Sequence, residues 1–348
     1  MSDPAFALLA RDLAGCDGCG LWLADDNIPR AALATLPPNP AVTVLSNRYD
    51  LWTALRERGW DARFADFDGM ELADACLEAL FYRVSKEKPL VHHVLNLAAR
   101  LLKPGGRLYL AGLKSEGIQT YIDKARALLG ERVEQDIRGS GLRRAVLGRI
   151  AGHHAPPLDD RDYGLLRPVA EEDGRVFWSK PGVFGWDKID QGSRFLVEYV
   201  EQRYPGGLPA PVLDLGCGYG YLAVHAARLG ATRVVATDNN AAAVRACRHN
   251  FALHSIAGAV IAADCGAGIA ERFPLILCNP PFHQGFAVQG GLTEHFLAAS
   301  RHLLAQGGTA LFVVNRFIPL ERKAAAQFRR VETVADNGRF KLIGACGE

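Results

Sequence analysis

The stretch Val212-Leu-Asp-Leu-Gly-Cys-Gly-Tyr-Gly-Tyr221 decides the fold. An apolar run ending in alternate glycines marks the join between a buried strand and the helix after it. Glycine lets the chain turn tightly there and brings backbone N–H groups and a helix N-terminus close to a ligand. A dinucleotide fingerprint would need glycines at 216, 218 and 221, but position 221 is Tyr. Gly216, Gly218 and Gly220 complete a shorter pattern, suited to a cofactor without a pyrophosphate. That points away from NAD and towards S-adenosylmethionine.

Downstream, strands are predicted at Val212–Leu215, Val234–Thr237, Ala259–Ala262, Leu275–Cys278 and Ala310–Val314, with helices opening at Tyr221, Ala241 and Leu292. Continuously apolar strands alternating with helices give a doubly wound, parallel α/β sheet. Asp238 ends the second strand 24 residues after Asp214, where a carboxylate can accept both ribose hydroxyls, and Asn239 stands beside it. Alone it would read as a helix cap; its place after the glycine loop reverses that. Asp264 follows the third strand and is placed to accept from an adenine amino group, or to serve as a surface-loop residue.

Asn279-Pro-Pro-Phe282 closes the fourth strand at the edge where open sheets bind ligands. Two prolines hold the backbone extended. An aromatic amine is a poor nucleophile because its lone pair is delocalised into the ring. If the Asn279 side-chain oxygen and the Pro280 carbonyl each accept one of its N–H groups, the lone pair turns towards the methyl donor. Pro281 keeps the clamp rigid, and Phe282 can stack on the base. The plain alternative is a stiff turn. Together, loop and clamp predict methyl transfer to an amino nitrogen.

The N-terminal half repeats the plan. Residues 92–106 align without gaps on residues 294–308, and Val42–Asn47 aligns on Val234–Asn239. The chemistry is missing: Ala24-Asp-Asp-Asn-Ile28 stands where the glycine loop belongs, Ser46 stands at the position of Asp238, and no Asn-Pro-Pro precedes Lys86. The expected organisation is two tandem doubly wound Rossmann-like methyltransferase domains: a degenerate domain at 1–155, a Pro/Asp/Gly-rich linker at 156–180 and a catalytic domain at 181–348.

The overall net charge of +2 hides an uneven distribution. Residues 1–80 carry 6 basic and 13 acidic side chains, whereas residues 81–150 carry 14 and 6. The second segment suits a polyanion, with Lys86, Lys88, Lys103, Arg107, Lys114, Arg143 and Arg144 as candidate RNA contacts, against the plainer reading of solvated helix faces. No apolar run approaches the roughly 18 residues needed to span a bilayer, and Met1-Ser-Asp-Pro lacks a signal peptide's basic start; a cytoplasmic protein is expected. The eight cysteines read as reduced thiols. Cys16-Asp-Gly-Cys19 has zinc-like spacing without a second ligand pair, so no metal is expected.

Residues 176–345 resemble the catalytic half of the ribosomal RNA small subunit methyltransferase C family, which methylates the exocyclic amino group of a 16S rRNA guanine. The resemblance rests on Val183-Phe-Gly-Trp-Asp-Lys-Ile-Asp-Gln-Gly-Ser193, the glycine loop, Asn-Pro-Pro-Phe-His283 and Asn337-Gly-Arg-Phe-Lys341. It implies a duplicated architecture with a catalytically silent N-terminal copy, and it implies that Asp190, Gly192 and Ser193 border the cofactor pocket; the residues themselves read as a helix cap. Partners so implied are ribosomal RNA or the assembled small subunit, met by a monomer. The alternatives are a 23S rRNA guanine-N2 methyltransferase, a protein glutamine or DNA adenine N-methyltransferase, and a binding protein that keeps the fold without catalysis. Phe282 in place of the Tyr usual in glutamine methyltransferases, and a full second sheet, favour nucleic acid.

Overall fold

A strand buried on both faces needs helices above and below it, and both halves of the chain supply them. The computed structural model describes residues 3–68, 72–139, 141–280 and 290–347. They divide into two units, Met1–Leu165 and Leu166–Glu348.

In the first unit, the strands are β1 (Gly20–Ala24), β2 (Val42–Ser46), β3 (Asp61–Phe64), β4 (Leu77–Arg83), β5 (Leu102–Leu113), β6 (Gly130–Arg138) and β7 (Leu142–Arg149). Its helices are α1 (Pro4–Ala14), α2 (Tyr49–Glu57), α3 (Lys88–Leu101) and α4 (Ile118–Leu129). The second unit opens with a hairpin, β8 (Arg167–Glu172) and β9 (Arg175–Ser179), and helix α5 (Gln191–Arg203). Then come β10 (Val212–Leu215), α6 (Tyr221–Arg228), β11 (Val234–Asp238), α7 (Ala241–Leu253), β12 (Gly258–Ala262) and β13 (Phe273–Cys278). The chain closes with α8 (Gly290–Leu303), β14 (Leu304–Asn315), α9 (Leu320–Ala324), β15 (Arg330–Asp336) and β16 (Phe340–Cys346).

The two seven-stranded sheets have one order: β3-β2-β1-β4-β5-β7-β6 in the first unit and β12-β11-β10-β13-β14-β16-β15 in the second. Five parallel strands are followed in each by an antiparallel pair. Even the irregularities repeat. The register slips between Leu77 and Ala79 where β4 meets β5, and between Phe273 and Leu275 where β13 meets β14. A glycine accounts for each slip, because a Cβ on Gly106 would lie 2.9 Å from the Lys103 carbonyl oxygen and 3.0 Å from that of Leu77. On Gly308 it would lie 3.0 Å from the carbonyl oxygens of both Ala305 and Phe273. The helix-to-strand corner presses against its neighbour too closely for any side chain.

Buried ion pairs tie helix α1 to the first sheet. Asp3 caps the helix and also accepts from the Arg83 guanidinium at 2.9 and 3.0 Å, while Arg83 donates to Glu116. Asp12 accepts from Arg144 at 2.5 and 2.6 Å. Removing one partner of such a pair leaves a buried charge uncompensated.

The segment 156–180, expected to be a linker, is built into both units. Tyr163 is fully buried in the first. Asp173-Gly174, both at positive φ (50° and 69°), form the two-residue turn that joins β8 to β9; paired positive φ matches the strands' right-handed twist. The Pro, Asp and Gly there are turn chemistry, not tether.

Gly106→Ala and Gly308→Ala are each expected to lower the unfolding free energy by about 1–3 kcal/mol through overpacking. Gly206→Ala, with nothing within 4 Å of its Cβ, should change it by less than about 0.5 kcal/mol. Denaturant titration of the three variants checks this.

Candidate functional site

The carboxyl edge of the second sheet gathers most of the predicted site. β10 leads into the glycine loop, whose backbone is fastened to the end of β11: Gly216 and Cys217 both donate to the Thr237 carbonyl, at 2.9 and 3.0 Å. Gly220, at φ +90°, starts α6, and a Cβ there would stand 2.8 Å from Cys247 Sγ. Only glycine allows both the turn and the approach of α7.

The half-buried Asp238 carboxylate spans the loop's open side. Its Oδ2 accepts from Gly218 N at 3.0 Å and its Oδ1 from Asn240 N at 2.8 Å. Asn239 beside it and Asp264 after β12 are half-buried, and Ala263 N donates to the Asp238 carbonyl at 3.0 Å.

Asp214 is completely buried in β10. Its Oδ2 accepts from Ala223 N at 3.0 Å, and its Oδ1 has no hydrogen-bond partner. Burial pushes its pKa up to about 7, opposed by the Ala223 hydrogen bond and reinforced by the nearby Asp238 charge.

Asn279 follows β13 directly, and the side-chain amide is held from one side. Its Nδ2 donates to Asp190 Oδ1 and to Ser193 Oγ, each at 2.8 Å. Asp190 is the N-cap of α5 and its Oδ1 also accepts from Ser193 N at 2.9 Å. Both N–H groups of the amide are thus committed to the protein, which turns its oxygen, an acceptor only, the other way. Gly192 lies buried in the same helical turn, and Pro280 is buried after Asn279. Pro281 and Phe282 lie outside the described residues.

Two asparagines escaped the sequence reading. Asn240 caps α7 through its Oδ1, which accepts from Ala242 N at 2.9 Å, while its Nδ2 donates to Gly182 O at 2.8 Å. Asn250, fully buried in α7, donates to Tyr219 O at 2.7 Å and to Trp178 O at 2.9 Å, and accepts from Trp178 N at 2.9 Å. Tyr219 donates its hydroxyl to Lys188 O at 3.2 Å. Strand β9 and residues 180–190 are therefore stitched to the glycine loop. The available signal was a polar residue on the stripe Ala243-Ala246-Cys247-Asn250, the buried face of α7.

The candidate RNA contacts do not form one face. Exposed Lys86 lies between β4 and α3, exposed Lys88 opens α3, and exposed Lys114 follows β5, so these three stand at the first sheet's carboxyl edge. Arg143 and Arg144 pair with Gly112 and Ala111 near that edge. Lys103 and Arg107 stand at the opposite end of β5, and Lys103 is engaged with Glu78 at 2.9 Å. Arg144 is neutralised by Asp12 and Glu134. It serves the fold, so it leaves the set of phosphate contacts.

A doubly wound sheet with a glycine loop on one central strand, a carboxylate ending the next and Asn-Pro closing the other defines a Rossmann-like methyltransferase domain. The Methyltransferase small domain family model matches residues 174–344. A Ribosomal RNA small subunit methyltransferase C of Pseudomonas aeruginosa is 33% identical over 304 residues, covering 84% of this chain and 87% of the relative. Its namesake in Aeromonas hydrophila is 30% identical over 322 residues, covering 91% and 90%. The solved structure of the T. thermophilus 16S rRNA N2 G1207 methyltransferase (RsmC), in complex with AdoMet and guanosine, superposes with a TM-score of 0.87. It is 30% identical and covers 99% of this chain and 92% of its own. The chain belongs to the ribosomal RNA small subunit methyltransferase C family. Among the described residues, no acidic, His or Cys cluster could hold a metal, and no helix is long and apolar enough to cross a membrane.

Asp214 also makes the domain's stability depend on pH. Its folded pKa is raised from 3.8 to about 7, so between those values the folded state holds a proton that the unfolded chain has lost. Stability should fall as pH rises through that window and level off above it. Asp214→Asn should remove this part of the slope, as read from denaturant titrations of the ligand-free protein at pH 5.5, 7 and 8.

Proposed function

We propose that this protein transfers a methyl group from S-adenosylmethionine to the exocyclic N2 of a guanine in 16S ribosomal RNA, working in the cytoplasm as a monomer. The observation that carries the reading is the one-sided restraint of Asn279. A guanine amino group is a double donor and needs acceptors in its plane. An amide free to rotate would present its own N–H₂ half the time and repel the base. With Nδ2 held by Asp190 and Ser193, the Asn279 oxygen and the Pro280 carbonyl are left to receive the two N–H groups.

The residues fit the cofactor. Asp238, which fastens the glycine loop through Gly218, would accept from a ribose diol. Asp264, half-buried just past β12, would accept from an adenine amino group. The unmet Oδ1 of Asp214 is an acceptor that the chain itself does not satisfy. When bound, the sulfonium supplies an electrophilic methyl group; the protein supplies alignment, acceptors and exclusion of water. Lys86, Lys88, Lys114 and Arg143 on the first unit serve as phosphate contacts for ribosomal RNA or the assembled small subunit.

Three results test this. Asp238→Ala should weaken S-adenosylmethionine binding by about 1.5–3 kcal/mol in calorimetry. Asn279→Ala should lose at least about 100-fold in turnover on small-subunit RNA while cofactor affinity stays within a few-fold; near-normal turnover would overturn the clamp. Charge reversal at Lys86, Lys88 and Lys114 should leave melting and cofactor affinity unchanged but weaken RNA binding, with a shallower salt slope. An unaltered slope would leave the first unit as scaffold only.

A further inference from the structure

The first unit keeps the crevice of its fold but gives it a different occupant. In the second unit, β10, β12 and β13 run into the glycine loop, Asp264 and Asn279. The matching strands β1, β3 and β4 run into Asp25-Asp26, Asp66 and Ser85-Lys86-Glu87. We propose that this crevice is a ligand site for a phenol ring, occupied in cis by Tyr163, and that residues 158–165 are the strap that holds the ring there.

Tyr163 has no exposed surface and belongs to the apolar cluster of Leu23, Phe67, Tyr82 and Val84. Its ring lies 4.8 Å from that of His93, tilted by 31°. The same His93 is fastened to Phe67 O, just past the end of β3, and burial raises the Tyr163 hydroxyl pKa.

The strap is bound along one face of α3. Asn96 exchanges two hydrogen bonds with the Leu158 backbone, at 2.8 and 2.9 Å. His92 Nδ1 meets Asp159 O at 2.6 Å. His93 Nδ1 meets Asp160 Oδ2 at 2.7 Å, and its Nε2 meets Phe67 O at 2.7 Å. The same three positions of α8 in the aligned copy are Glu294, His295 and Ala298, and all are exposed. The first unit thus carries, on one helix face and beside one crevice, the complement of a segment that follows its sheet.

The probe is phenol itself. Tyr163→Ala leaves a void of the ring's shape and should lower the melting temperature by about 10 °C. Millimolar phenol should return part of that loss saturably, without stabilising the wild type. S-adenosylmethionine affinity should stay within two-fold of wild type, at one equivalent. A variant that melts like wild type, or gains nothing from phenol, overturns the proposal. If Tyr163→Ala does not fold, hydrogen exchange on the wild-type protein decides. The Leu158 amide should exchange at least about 1,000-fold more slowly than in an open chain, and exchange at the open-chain rate would exclude a bound strap.

Discussion

The Asp238 carboxylate holds the second unit's working edge together. It takes the glycine loop through Gly218 and the start of α7 through Asn240, while the backbone carbonyl of the same residue takes Ala263, just past β12. A glycine-rich loop loses more conformational freedom on folding than other chain does, so its shape has to be imposed from outside. Two charge-assisted hydrogen bonds do so here. The same carboxylate that shapes the loop is the proposed ribose acceptor, so structure and recognition draw on one group.

The duplication separates what a doubly wound sheet needs from what a methyltransferase needs. Strand order, the register slips and the tight corner glycines Gly106 and Gly308 are identical in both units because packing demands them. The glycine loop, the acid of the second strand and the Asn-Pro clamp survive only in the second unit. In the first, Asp25 accepts from Tyr82 at 3.0 Å and from Asn27, closing on its own neighbours.

The legible parts of this molecule are local ones. Gly216 to Gly220, Asp238 and Asn279 could be placed from sequence because each sits at a strand end and apolar periodicity marks strand ends. The internal alignment exposed the duplicated fold in the same way. The rest depends on partners far apart in the chain. Asn279 is oriented by Asp190, 89 positions earlier, and Asn250 joins strand β9 to the glycine loop, which no pattern connects. Arg144 counts as a free cation until Asp12, 132 residues away, is found against it. The stretch 156–180 has the composition of a tether, yet its Asp173-Gly174 is a hairpin turn and its Tyr163 is core.

The ion pairs of helix α1 also fix the order in which the chain can be completed on the ribosome. Asp3 and Asp12 are made before their partners: Arg83 comes with β4, the fourth of seven strands, and Arg144 with β7. Helix α1 can stack Phe6 on Trp22 of β1 early, but its ion pairs wait for β4 and β7. Because contacts of such long sequence separation form slowly, α1 is locked in place only when the first unit is nearly complete.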